Sequence, residues 1–156
     1  MEFTLQDFVP HLHKIQTISL FESRPDIFPP EEMRQISEDM NDESTPDHYK
    51  IVATSNNNVI GYCGAVKSND NSLWFIDWFS VHPDYQHLGV GSSLLSNIED
   101  YLKSLGVYEY SVQTCSCSGE SVARSFYTKN QFELKNTEVD GYAPDHSKLT
   151  YTKPLK

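Results

Sequence analysis

Cysteine is scarce in this 156-residue chain: Cys63, Cys115 and Cys117 are its only thiols. An odd number argues against a closed disulfide framework and suits a reducing cytosol. Long apolar runs are missing as well. None approaches the roughly 20 residues of a membrane-spanning helix, so no membrane association is expected. The opening residues, MEFTLQDFVPHLHK, lack a basic start followed by an apolar core. No secretory leader is visible there, and a cytoplasmic protein is expected. Basic residues are few, 12 Lys and Arg against 22 Asp and Glu, for a formal net charge of −10. Without a Lys/Arg cluster, nucleic acid would be repelled, and no nucleic-acid partner is expected. An acidic field favours encounter with a cationic acceptor such as an amine. No repeat, low-complexity tract or linker interrupts the chain, so residues 1–156 are expected to form one domain.

What is present reads as alternating helices and strands. Leu12, Ile15, Ile18 and Leu20 mark a first helix over Val9–Phe21. The proline-rich stretch ESRPDIFPPEEM (Glu22–Met33) is a loop. Pro30 with Glu31 and Glu32 suits the first turn of a second helix. From Tyr49 the period shortens, and KIVAT and VIGYCGAV read as strands around an Asn-rich turn at Ser55–Asn58. Leu73–Val81 (LWFIDWFSV) is apolar on both faces, which predicts a central strand covered on both sides. Val90, Leu94, Leu95, Ile98, Leu102 and Leu105 then form one helical stripe, closed by Gly106 as a left-handed cap. Tyr108–Thr114 is another strand. Glu120–Asn130 is another helix, with Val122, Ala123, Phe126 and Tyr127 expected to point inward. Phe132–Val139 and Leu149–Thr152 are two closing strands. The tally predicts a mixed sheet with interleaved helices, an α/β or α+β domain.

Between Val81-His82-Pro83 and the third helix stands Gln86-His87-Leu88-Gly89-Val90-Gly91-Ser92. A dinucleotide fingerprint would need a third glycine where Leu94 stands. A Walker loop would need Gly-Lys-Ser/Thr, and a nucleophile elbow Gly-x-Ser-x-Gly; neither occurs. The remaining reading is a strand–turn–helix that aims successive N–H groups at an anion at the positive helix end. A plain tight turn is the alternative.

Residues Leu73–Leu105 resemble the acetyl-CoA-binding core of the GNAT superfamily of N-acetyltransferases. Its signature, Gln/Arg-x-x-Gly-x-Gly/Ala after a Val-x-Pro-ended strand, is matched by Gln86, Gly89 and Gly91. Ala123, Phe126, Tyr127 and Phe132 are similar to the family's following helix and strand. The tail resembles a branch whose members end in an Asp-x-Tyr-Ala-Pro loop, here Asp140–Pro144, and the likeness runs from about Tyr49 to the end. Two positions depart from the pattern: Gln131 replaces the usual glycine before Phe132, and Glu120 replaces the usual asparagine. Gln131 would leave the helix cap to Asn130 or make it imperfect, and Glu120 is read as favouring the helix dipole or facing water.

The resemblance implies a GNAT-like fold: a mostly antiparallel sheet with a splayed strand pair and about four helices. It implies N-acetyl transfer from acetyl-CoA to a small-molecule or peptide amine, by direct attack in a ternary complex and without a metal. The backbone N–H groups of Leu88, Gly89, Val90, Gly91 and Ser92 would hold the pyrophosphate. The backbone at Phe79–Val81 would pair with pantetheine, and Tyr127 would protonate the leaving thiolate. A buried aromatic with a satisfied hydroxyl is the plainer reading of Tyr127. Asp77 is the only charge in its strand; it is either the general base or a structural carboxylate bonded to a neighbouring loop. His82 and His87 are expected to be solvated, His87 offering its backbone to phosphate. Cys115-Ser116-Cys117, with no second pair and no nearby His, falls short of a zinc site. The acceptor pocket is expected from the first two helices, Glu22–Met33 and Asp140–Lys148, in a monomer or homodimer. A non-catalytic acyl-CoA-binding sensor is the rival reading.

Overall fold

The computed structural model describes residues 2–70 and 72–155. Their elements are β1 (Thr4–Asp7), α1 (Pro10–Glu22), α2 (Pro30–Asp39), β2 (His48–Ser55), β3 (Asn58–Lys67) and β4 (Trp74–Val81). Then follow α3 (Val90–Ser104), β5 (Glu109–Cys115), α4 (Ser121–Lys129), β6 (Glu133–Ala143) and β7 (His146–Pro154). The seven strands follow the order β1-β2-β3-β4-β5-β7-β6. Antiparallel pairing joins β1 to β2, β2 to β3, β5 to β7 and β6 to β7, whereas β4 and β5 run parallel. This is the mixed, mostly antiparallel sheet with four helices that the sequence predicts. Among the described residues no helix is long and apolar enough to cross a membrane.

The chain divides into two compact units, the first running to Val66 and resuming over Asp77–Asp100. Its β2–β3 hairpin closes at Asn56 and Asn57, with φ of 51° and 65°. Asparagine tolerates this left-handed pair, which matches the twist of the flanking strands. The core gathers Phe8, Leu20, Phe21, Ile36, Met40, Val52 and Tyr62. The inward face of α1 differs from the predicted one. His13, Thr17, Leu20 and Phe21 are buried, while Leu12 and Ile15 are 62% and 81% exposed. Positions 13, 17, 20 and 21 keep the i, i+4, i+7, i+8 spacing of one helical face. His13 belongs there because its Nδ1 accepts the Val9 N–H at 2.9 Å. A β-carbon on Gly61 would stand 3.0 Å from Leu94 and 3.1 Å from Val90, so that glycine lets α3 sit close on β3.

The second unit holds Lys67–Ile76 and the chain from Tyr101 onward. Gly106, at φ +78°, follows α3 as predicted, and Val107 N–H reaches back to Leu102 O at 3.0 Å. At the end of α4 the left-handed residue is Gln131 (φ 68°), not Asn130 (φ −94°). Gln131 thus takes the backbone conformation a glycine would have supplied. Within α4 only Tyr127 is buried, and Val122 is 58% exposed rather than inward. The tail is also more regular than expected. The Asp140–Ala143 stretch extends β6 and His146 opens β7, so most of the predicted loop is a hairpin turning at Asp145 (φ 65°).

Candidate active site

In the first unit, β4 ends at Val81 and the chain turns sharply. His82 Nδ1 accepts the Asp84 N–H at 3.1 Å, Tyr85 N–H bonds His82 O at 2.8 Å, and Gln86 Nε2 reaches Val81 O at 3.4 Å. The Gln86 side chain therefore ties the turn back to the strand end. His87 and Gly89 follow at φ 63° and 86°, and Val90, fully buried, anchors the start of α3. Gln86 and Gly91 are partly buried, whereas His87, Leu88, Gly89 and Ser92 are exposed. A β-carbon on Gly89 would meet no atom within 4 Å. Its glycine is therefore demanded by the left-handed backbone, and the space beside it is open. Ser93 N–H bonds Gly89 O at 3.0 Å and closes the first turn. The first N–H groups of a helix lack carbonyl partners within it and carry its positive end. A 15-residue helix thus begins at an exposed turn with open space beside Gly89.

β4 is not covered on both sides. Trp74, Ile76 and Ser80 are buried, but Phe75, Asp77, Phe79 and Val81 are only partly so. Alternation along the strand gives these four one common face, and the apolar residues on it had suggested full burial.

Asp77 on that face has a partner no motif announced. Its Oδ2 stands 2.6 Å from His48 Nε2, with side chains 15% and 22% exposed. Asp77 Oδ1 accepts the Trp78 N–H at 2.7 Å, and Trp78 Nε1 donates to Asp39 Oδ2 at 2.7 Å. A β-carbon on Gly64 would collide with Asp77 Oδ1, so Gly64 makes room for the carboxylate. His48 lines an open pocket of about 600 Å³ together with Asp39, Asp42, Glu43 and Lys50. Lys50 is buried and donates to the carbonyls of Asp39 and Asp42, the latter at 2.8 Å. Burial pulls its ammonium below the ordinary lysine range, against the opposing pull of Asp39, Asp77 and Asp42. This pocket takes Asp39 from the end of α2, one of the elements expected to hold the acceptor, and its other lining residues from the loop after α2 and from β2.

Tyr127 lies in the second unit and is 6% exposed. Its ring packs on Phe132 (5.4 Å), Phe126 (5.7 Å) and Tyr151 (6.5 Å between centroids).

The sequence profile of the acetyltransferase (GNAT) family matches residues 11–132. The chain belongs to the GNAT acetyltransferase family. Among solved structures, a GNAT-family protein from Desulfovibrio desulfuricans superposes with a TM-score of 0.91 at 19% identity, covering 99% of this chain and 100% of that one. An aminoglycoside 6'-N-acetyltransferase complexed with coenzyme A gives 0.78 at 17% identity, over 98% and 97% of the two chains. The ribosomal-protein-S18-alanine N-acetyltransferase of Escherichia coli gives 0.76 at 14%, over 99% and 95%. At these identities the likeness establishes the fold. No curated protein sequence is significantly similar to the chain.

Within this GNAT chain, Asp77, Phe79, Val81 and Gln86–Ser92 share the first unit, and Tyr127 belongs to the second. Sequence reasoning missed His48, which stands 29 positions from Asp77. No local signal marked it, since β2 (HYKIVATS) also carries Lys50, Thr54 and Ser55. Glu120 stands at the N-cap of α4, where a carboxylate favours the helix dipole as expected. It accepts from Thr114 Oγ1 at 2.8 Å and from Cys117 Sγ at 3.7 Å. Cys115 and Cys117 do have a histidine beside them: His146 Nδ1 is 3.4 Å from Cys115 Sγ. Burial, the Cys115 hydrogen bond and the Glu120 carboxylate push the Cys117 thiol up to about 11.

Proposed function

We propose that this GNAT protein transfers the acetyl group of acetyl-CoA to a cationic amine, within a single catalytic domain. The observation that carries the reading is the His48–Asp77 pair on a carboxylate-rimmed pocket, in a chain of the GNAT family. An alkylamine arrives protonated and must lose a proton before its nitrogen can attack the thioester carbonyl. With Nε2 of His48 held by Asp77, the other ring nitrogen, Nδ1, is left to take that proton. Asp77 then stabilises the imidazolium, which makes it the positioning partner of the base and His48 the base itself. Asp39, Asp42 and Glu43 suit further positive charges on the acceptor. An aminoglycoside, the substrate class named for one structural neighbour, has that character.

The turn from Leu88 to Ser92 takes the pyrophosphate on its N–H groups, beside the open space at Gly89. Phe79 and Val81, on the partly uncovered face of β4, offer backbone to pantetheine. The amine forms the new C–N bond, the C–S bond breaks, and the second N–H proton passes to solvent, which restores the Tyr127 phenol after its transfer. Tyr127 gives its phenolic proton to the departing CoA thiolate, the role its match to the family motif implies.

The test is release of free CoA thiol from acetyl-CoA in a panel of mono- and polyamines. Turnover with polyamines is expected, and His48→Gln should lower kcat by roughly 10²-fold or more. Saturable acetyl-CoA binding with no turnover by any amine would favour the non-catalytic sensor.

A further inference from the structure

The second unit carries a cluster that acetyl transfer does not use. Cys115 ends β5, Cys117 follows it, and His146 opens β7. One donor atom from each, two Sγ and an imidazole nitrogen, all lie within 4.8 Å of one another. We propose that Cys115, Cys117 and His146 form a binding site for one zinc-class divalent cation.

Geometry is the first support. Zinc–sulfur and zinc–nitrogen bonds of about 2.3 Å and 2.0–2.1 Å, at tetrahedral angles, put sulfur about 3.5 Å from nitrogen and about 3.8 Å from a second sulfur. The Cys115 Sγ to His146 Nδ1 separation is 3.4 Å. Glu120 Oε2 accepts from Cys117 Sγ at 3.7 Å but is not one of the three donors that share the cluster.

The second support is how the donors are held. Arg124 Nη1 donates to both Cys115 O and Cys117 O at 2.6 Å, clamping the Cys-Ser-Cys backbone from α4. Cys117 N–H donates to Cys115 Sγ at 3.1 Å, a bond that strengthens when the sulfur is a thiolate. Ser116 N–H bonds Ser147 O at 3.0 Å, and Ser147 N–H bonds Ser116 Oγ at 3.0 Å. These two bonds hold the residue next to His146 against the residue between the cysteines. Hydrogen bonds of this kind orient ligands before the metal arrives.

Access is the third. Cys115 is buried, Cys117 partly buried and His146 exposed, so a cation can enter from solvent over the imidazole. On binding, both thiols pass their protons to the buffer, and two thiolates balance the charge of a divalent ion. A bound ion would cross-link the ends of β5 and β7 at the start of α4. The local spacing of a Cys-x-Cys pair predicts no site because its third ligand comes from a hairpin 29 residues further on.

The reduced, metal-free full chain is titrated with Zn2+ against a chromophoric chelator, and separately with Co2+ as a spectroscopic probe. One equivalent per chain is expected, with a near-ultraviolet thiolate-to-cobalt band and the visible bands of tetrahedral Co2+. His146→Ala and Cys117→Ser, at exposed and partly buried positions, should each weaken Zn2+ binding about tenfold or more. Circular dichroism of the metal-free variants checks that they fold. Lack of saturable one-equivalent binding, lack of the thiolate band in the unmodified chain, or full affinity in both folded variants would overturn the proposal.

Discussion

At Tyr127 a single oxygen separates two roles. The ring is packed against Phe126, Phe132 and Tyr151, so its volume matters whichever role the hydroxyl plays. Tyr127→Phe keeps the ring and removes the proton. If the phenol protonates the thiolate, kcat and kcat/KM should fall together by roughly 10²–10⁴-fold, with acetyl-CoA affinity nearly unchanged. Steady-state kinetics on an accepted amine, beside a binding titration, make the measurement. A hydroxyl serving only packing would show instead as about 1 kcal/mol of lost stability with turnover intact. The same scale explains Gly89. Its φ of 86° sits in open space, so the residue is required by backbone conformation and leaves room for a ligand.

Among the elements, α4 shows how a fold tolerates a locally unsuitable residue. Gln131 holds φ 68°, and its side chain bonds only across the turn, to Lys129 O at 3.0 Å. A side chain in the left-handed region costs about 1–2 kcal/mol, while glycine adds entropy to the unfolded chain. Gln131→Gly should therefore stabilise the protein by up to about 1 kcal/mol, a rise of a few degrees in Tm. Thermal unfolding of the two proteins decides it. A drop in Tm would mean that the lost Lys129 contact outweighs the relieved backbone. The element order was readable because helix and strand periods and the Asn and Gly turns are local properties. β1 was missed: four residues, TLQD, with only one partly buried, carry too little pattern. The two closing strands are legible, but Asp140–Ala143 reads as loop because the end of β6 is exposed, and an exposed strand shows no alternation.

For the molecule as a whole, charge sets a rule that no pocket contact contains. The net charge is −10, while acetyl-CoA is a polyanion and the proposed acceptor a polycation. Long-range attraction helps the acceptor and opposes the cofactor, and added salt screens both. Raising ionic strength from about 0.01 to 0.15 M, a fall in Debye length from about 30 to 8 Å, should raise KM for a polyamine. KM for acetyl-CoA should stay level or fall. Initial rates at several salt concentrations test this, and parallel changes in both constants would remove the steering argument.

The sequence alone determined the family and the strand–turn–helix at Gln86–Ser92. Gln86, Gly89, Gly91 and the Phe126-Tyr127 step stand at fixed separations, and a left-handed turn before a helix is written into neighbouring residues. Tertiary structure decided which side chains meet. His48 reaches Asp77 across 29 positions and His146 reaches Cys115 across 31, and neither pairing leaves a mark in local spacing. It also turned Leu12 and Ile15 outward and His13 and Thr17 inward, against their hydrophobicity. The physical reason is common to these cases. Backbone preference and periodicity act over a few residues, whereas a strand's register and a helix's rotation are set by what they pack against.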